Sequence, residues 1–495
     1  MKRVLGNLAW TTASKLFDAA VRFLTVPIVL AHFGKLDFGL LALAYSISVF
    51  LAIADFGLNV NAVRRLSEYV LTGDTAGAGR LVRACSFYYA WIGGVNFVAV
   101  VGVGAMGASW FNLAPEQASD FFWMMVALGF STLLYWCFAV HRQLIQAAGQ
   151  LGWDERNNLI CAFGLAALVW LTVHGGLDVV TYFVASLAIS SIPIALRVWK
   201  ARRLIPGLSI GFQRDWALFS PMVSSSALIF VMSLAQLMAV HFRPIILASQ
   251  GTLEAVGDYR ILQGVVSFAL MVSGGLFNVI YPEVARLESQ GDKKRLRDLA
   301  YRGTSLLMWC HLLLLLPLML ASELILGLYV GSAYTHLALP LALWLLTCIS
   351  GHNAILSSVL LSRGRLGPLT VTSVVNALLS LGLAWILVPD YGLNAVVWTY
   401  LLYFVVQTVV FYIYLMPPLG LGSVLEIAGV AIRPMLWSGV AAAAPMFVAI
   451  RYGAPMWAAG VVAGLGIVVA WLSVGHGWRD VKFLFMSGRH EVRIP

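Results

Sequence analysis

Residues 7–31 read NLAWTTASKLFDAAVRFLTVPIVLA. A helix needs about 20 mainly apolar residues to cross roughly 30 Å of hydrocarbon, and this run is long enough. Its only charges are Lys15, Asp18 and Arg22, spaced i, i+3 and i+7, so all three share one helix face. Lipid does not host such a stripe cheaply, so the face is expected to look into a bundle or an aqueous cavity. Asp18 is placed to pair with either neighbour, which leaves one positive charge. That surplus suits a wall that attracts an anion; a buried structural network is the other reading. Pro27 frees a backbone carbonyl and predicts a bend. The run follows directly on Met1, Lys2 and Arg3 and has no small-residue cleavage site, so it reads as a first span and not as a removed signal.

The rest of the chain has the same character. Of 495 residues, 60% are hydrophobic and 11% charged, with mean hydropathy +0.86; a soluble domain carries about 25% charged residues. One soluble core cannot absorb this much apolar side chain, because cores stop growing beyond roughly 250–300 residues. The excess is expected to face lipid, which sets aside soluble enzymes, nucleic-acid readers and secreted binding modules. Fourteen runs are marked: 7–31, 38–60, 84–108, 121–141, 158–174, 179–197, 217–248, 257–281, 303–322, 337–361, 366–388, 394–416, 435–451 and 456–474. They last about 20 residues without a two-residue alternation, so they predict helices and not barrel strands.

Charge supplies the direction. With the N-terminus inside, 26 of the 32 Lys and Arg residues fall in inner segments, and only Lys35 and Arg451 fall in clear outer loops. That bias follows the positive-inside rule and places both termini in the cytoplasm. It also accounts for the formal net charge of +10 without nucleic acid; anionic membrane lipids are the remaining partner of such loops. The longest inner connections, 61–83, 198–216 and 282–302, are too short to carry chemistry of their own.

An internal echo organises the spans. Pro27-Ile-Val-Leu-Ala31 returns as Pro244-Ile-Ile-Leu-Ala248, an offset of 217 that also sets Gly34 on Gly251 and Asp37 on Glu254. Both copies end odd-numbered spans six apart, so the halves keep the same orientation. The expected domains are 1–214 and 215–416, two parallel six-helix bundles, with 417–495 adding two helices and a tail. Binding sites in such duplicated plans lie between the repeats near mid-depth.

Further ionisable residues point to the same place. His241 and Arg243 precede Pro244, and Arg260 opens the next helix, so Arg22, Arg243 and Arg260 are expected in the outer half, facing one another. Arginine's planar fork suits phosphate oxygens, although each of the three also has the option of snorkelling to headgroups. Lys15 and His241 complete the expected cationic cavity; Asp18 and Asp55 are candidates for ion pairing or coupling, and Pro27 and Pro244 for hinges. Asparagines near span ends and the isolated histidines, including His311 and His352, read as packing or interfacial residues. The five cysteines form no CxxC pair, no metal-ligand cluster is spaced for binding, and no Walker A, nucleophile elbow or GxGxxG is found. No covalent chemistry, cofactor or metal is expected.

Several motifs in order carry a resemblance: the amphiphilic first helix ending Pro-Ile-Val-Leu-Ala, Phe33-Gly34 and Phe38-Gly39, Ala54-Asp55-Phe56-Gly57-Leu58, Gly257-Asp258-Tyr259, Pro282, and Pro389-Asp390-Tyr391-Gly392-Leu393-Asn394-Ala395. Over about residues 5–415 this pattern resembles the Wzx-type polysaccharide-biosynthesis flippases of the multidrug/oligosaccharidyl-lipid/polysaccharide exporter superfamily. The resemblance implies an all-α polytopic protein of about 14 transmembrane helices, whose two six-helix bundles form a V-shaped cavity, with the last two helices flanking a lateral groove for a polyprenyl tail. It implies an undecaprenyl-diphosphate-linked oligosaccharide carried from the inner to the outer leaflet of the bacterial cytoplasmic membrane for surface or exopolysaccharide assembly. Coupling to H+ or Na+ and contact with a polymerase or other assembly proteins follow from it too. Peptidoglycan lipid II is the alternative cargo, and a cation-coupled small-molecule exporter the alternative class. The family's cationic cavity residues map onto Arg22 and Arg243, with Lys15 and Arg260 beside them.

Overall fold

The computed structural model describes residues 2–51, 58–205, 211–224, 227–363, 366–421 and 423–473. Every regular element among them is helical, as expected where lipid offers the backbone no hydrogen-bond partner. The helices are α1 (Lys2–Leu51), α2 (Leu58–Thr72), α3 (Thr75–Trp110), α4 (Pro115–Ala147), α5 (Leu151–Gly175) and α6 (Val179–Leu204). Next come α7 (Trp216–Ser224), α8 (Ala227–His241), α9 (Arg243–Gln250), α10 (Leu253–Ser289), α11 (Lys293–Asp298) and α12 (Thr304–Leu320). The last are α13 (Ser322–Tyr329), α14 (Ala338–Thr347), α15 (Ala354–Ser362), α16 (Leu366–Val410), α17 (Val424–Tyr452) and α18 (Met456–Ser473).

Ten helical stretches among the described residues are long and apolar enough to cross a bilayer. Two of them, Phe17–Leu51 and Gly367–Leu415, each contain a glycine with non-helical backbone and cover two of the runs counted from the sequence. Gly34 (φ 76°) and Gly392 (φ 52°) take left-handed conformations that cost a Cβ-bearing residue energy. The runs at 217–248 and 257–281 fall on α7–α9 and α10, which include residues outside the description. The count of fourteen is thus carried by hydropathy. The break in α1 lies at Gly34, while Pro27 sits within a continuous helical stretch.

Contacts divide the chain into one unit of Met1–Gly264 with Trp385–Leu393 and a second of Val265–Ala384 with Asn394–Pro495. The repeat boundary at 214 is a different division, because 216–264 pack within the first unit. Phe219 stacks on Tyr88 with centroids 4.2 Å apart, Arg65 Nη1 donates to the Leu218 carbonyl (3.3 Å), and Phe242 meets Phe50 edge-on at 6.0 Å. The start of α10 also crosses the second half of α1. A Cβ on Gly39 would overlap the Leu253 carbonyl, Gly257 lies against the Lys35 carbonyl, and Lys35 Nζ reaches Asp258 Oδ2 at 3.1 Å. The Phe38-Gly39 and Gly257-Asp258 motifs are therefore the two sides of one close crossing.

Each unit has its own core. In the first, Leu66, Leu81, Tyr89, Trp136 and Leu144 are buried together. In the second, Leu296, Leu356, Phe411, Met416 and Ile427 are, and α18 lies close enough to α12 for Gly460 to face the Pro317 carbonyl.

Candidate functional site

The stripe on α1 supplies the first residues. Arg22 Nε donates to Asp18 Oδ2 at 2.8 Å, and the two side chains are 59% and 42% exposed. The pair is therefore open, not sealed in a core. Arg22 lines a cavity of about 70 Å³ together with Thr25, Tyr45, Tyr182 and Arg260. In one straight helix Arg22 and Tyr45 would lie about 34 Å apart. The Gly34 break turns the second half of α1 back, so that both reach the same space.

The other walls come from α6 and α10. Tyr45 and Ser186 share a hydroxyl hydrogen bond of 2.9 Å, Phe33 meets Tyr182 edge-on at 5.6 Å, and Arg260 Nη1 donates to Gln263 Oε1 at 2.7 Å. Tyr45 and Tyr182 lie in the fields of both Arg22 and Arg260. Half-buried His241, on the last turn of α8, is close enough to Arg260 to feel its charge. The buried Tyr259 hydroxyl donates to the Val240 carbonyl at 3.1 Å.

Arg243 is placed differently from Arg22. It has no exposed surface, and Nε donates to the Ala239 carbonyl at 2.8 Å. The last carbonyls of a helix lack intrahelical donors; Pro244, in the first turn of α9, has no N–H for the Val240 carbonyl four residues back, which accepts from the Tyr259 hydroxyl instead. Arg243 supplies a donor at that junction and is not among the residues lining the cavity. The structure thus brings Arg22 and Arg260 to one cavity, leaves His241 at the end of α8 and Arg243 at the α8–α9 junction, and keeps Asp18 on Arg22. The Lys15 side chain and Asp55 lie outside the described residues. Tyr45, Tyr182 and Ser186 were not legible as site residues: a hydroxyl in an apolar run gives no charge signal, and only the fold places it beside an arginine.

A second polar centre joins α4, α5 and α6. Asp154 is fully buried and accepts from Arg142 Nε (2.9 Å) and Arg197 Nε (2.5 Å), while Arg197 Nη2 donates to Asn158 Oδ1 (3.0 Å). In the second unit, an apolar cavity of about 490 Å³ lies among α12, α16 and α17, with Met308, Phe404, Val405, Ala428 and Ile432 on its walls. Among the described residues no group of His, Cys, Asp and Glu is arranged to hold a metal ion.

Solved structures with the same fold are membrane transporters. One is the lipid II flippase MurJ in an inward closed conformation, at 11% identity and TM-score 0.67, covering 95% of this chain and 99% of that one. Another is an inward-facing multidrug resistance MATE family transporter of the MOP superfamily, at 13% identity and TM-score 0.65, covering 82% and 96%. At such identities the likeness shows the fold alone: an all-α, multi-pass membrane protein. No protein of curated function matches the chain significantly in sequence. The family described as polysaccharide biosynthesis protein matches residues 4–288, more than half of the sequence. The chain belongs to the polysaccharide biosynthesis protein family.

Proposed function

We propose that this protein translocates an undecaprenyl-diphosphate-linked oligosaccharide from the inner to the outer leaflet of the bacterial cytoplasmic membrane, by alternating access and without covalent chemistry. The observation that carries the reading is the pairing of Arg22 with Arg260 on one cavity, inside a chain of the polysaccharide biosynthesis family. A diphosphate does not cross hydrocarbon unaided, because its charge loses hydration. Two guanidiniums flanked by the hydroxyls of Tyr45 and Tyr182 offer donors in place of that water. Asp18 holds Arg22 through Nε and keeps the site from being a bare pair of like charges in the unloaded protein. The apolar cavity beside α17 suits the polyprenyl tail. Both termini face the cytoplasm in this reading, and an H+ or Na+ gradient supplies the direction, with Asp18 and Asp55 as candidate coupling groups.

The test is translocation in proteoliposomes by the full chain, read as outer-leaflet accessibility of an undecaprenyl-diphosphate glycan. Arg22→Gln and Arg260→Gln are expected to lower the rate at least tenfold while the proteins remain folded. Unchanged rates in both variants would overturn the reading. Preferential transport of lipid II would move the assignment to a peptidoglycan precursor, and transport of a cationic dye with no glycolipid movement to drug efflux.

A further inference from the structure

Helix α3 carries an open groove whose lining residues are not those of the arginine cavity. It measures about 840 Å³, and its lining includes Phe87, Trp91, Gly94, Val95, Val98 and Phe212, all of the first unit. Phe212 comes from the extended segment before α7, which two hydrogen bonds hold to α3. Gln213 N donates to the Arg83 carbonyl and Arg83 Nε to Gln213 Oε1, each at 3.2 Å. The groove therefore has a tethered side wall and is more than one face of a helix. Its apolar walls are open: Trp91 is 67% exposed, Val98 69% and Phe212 53%.

Charge stands at one end of this groove. Arg80, Arg83, Phe87, Trp91, Gly94 and Val98 recur at intervals of three and four, so two arginines share the groove's face just before its apolar lining begins. Arg80 is exposed and Arg83 half-buried. From Phe87 to Val98 the helix rises about 17 Å, close to the roughly 15 Å of hydrocarbon in one leaflet. The groove floor adds a second observation. Gly93 is explained by packing, since a Cβ there would come 2.9 Å from Trp136 Cβ. At Gly94 a Cβ would meet no atom of the described residues within 4 Å beyond its own helix turn. Glycine inside a helix costs stability relative to alanine, and here the packing of the described residues does not call for it.

We infer that this groove seats an acyl chain of an anionic phospholipid, with the lipid phosphate at Arg80 and Arg83. The chain fills an apolar channel one leaflet deep, Gly94 lets it approach the α3 backbone, and the guanidiniums meet the phosphate at headgroup depth. The leaflet is the one that borders the start of α3, which the charge count predicts to be cytoplasmic. A second copy of the chain suits this face less well. A two-fold axis along the membrane normal sets equal depths against each other, so the arginines of one protomer would meet those of its partner. The site stands or falls without the glycolipid reading, because Arg22 and Arg260 take no part in it.

The experiment measures lipid binding to the purified full chain by native mass spectrometry, with phosphatidylglycerol and phosphatidylcholine of the same acyl chains. The wild type is expected to bind phosphatidylglycerol at least fivefold more tightly. Arg80→Gln should reduce that preference about fivefold, whereas Arg203→Gln, the same loss of charge on α6, should leave it unchanged. Gly94→Leu fills the groove floor and should weaken phosphatidylglycerol binding at least fivefold. Its unloaded unfolding temperature should hold or rise, because leucine is the better helix former; if that variant fails to fold, the exposed Arg80 decides. Equal affinity for the two lipids marks an ordinary lipid-facing surface and overturns the site. So does wild-type phosphatidylglycerol binding in both Arg80→Gln and Gly94→Leu, or an equal loss in Arg203→Gln. A dimer that Gly94→Leu dissociates would make the groove an interface between copies, and displacement of phosphatidylglycerol by an equal concentration of undecaprenyl phosphate would make it a polyprenol site; either result overturns the proposal.

Discussion

Arg22 and Arg243 have the same side chain and opposite situations. Arg22 is mostly exposed and held at one nitrogen by Asp18; Arg243 is fully buried and donates to the end of the preceding helix, α8. Substituting Arg22 by Gln should therefore leave unfolding within about 0.5 kcal/mol of wild type, with the loss confined to ligand binding. Arg243→Met removes a donor from a buried carbonyl and should cost on the order of 1–3 kcal/mol, read by denaturant or thermal unfolding in detergent. If Arg243→Met unfolds like wild type but abolishes binding, the residue belongs to the cavity after all. Asp154 makes a sharper case. Its removal leaves Arg197 buried with its carboxylate partner gone, so Asp154→Ala should cost about 3–5 kcal/mol, and Asp154→Asn, which keeps an acceptor, less. The sequence marked Arg142 and Arg197 only as inner-side charges, since nothing in their spacing says that one carboxylate on the helix between them joins them; the packing of three helices does.

At the scale of elements, the close crossing of α1 and α10 is the clearest constraint. Gly39 faces the backbone of Leu253, so no rotamer change can make room for a methyl group there. Gly39→Ala is expected to destabilise by about 1–3 kcal/mol, and a thermal unfolding midpoint equal to that of wild type would refute the crossing. The glycine pairs noted in the sequence were readable as packing residues, but their partners were not. The bend predicted at Pro27 is a similar lesson: proline lacks an N–H, yet it is tolerated within a membrane helix when neighbours satisfy the freed carbonyl. The chain breaks instead at Gly34, where a positive φ is needed.

For the whole molecule, orientation is the property most directly open to test. The excess of Lys and Arg in alternate segments predicts the turn after α2 inside and the α3–α4 connection outside. A cysteine introduced at Thr72 should react with an impermeant maleimide only from the cytoplasmic side, and one at Glu116 only from the outer side; labelling from the reverse sides would invert the proposed direction of transport.

The sequence alone determined that the chain lives in the membrane as helices and which few residues are too polar to face lipid, and it set the expectation of how those helices alternate in direction. These are local or additive properties: run length, mean hydropathy and the count of charges per loop. The tertiary structure alone decided that Tyr45, Tyr182 and Arg260 join Arg22 and that Arg243 turns into a helix junction. Those outcomes depend on which faces meet and at what distance, and spacing along one helix does not encode the position of the next.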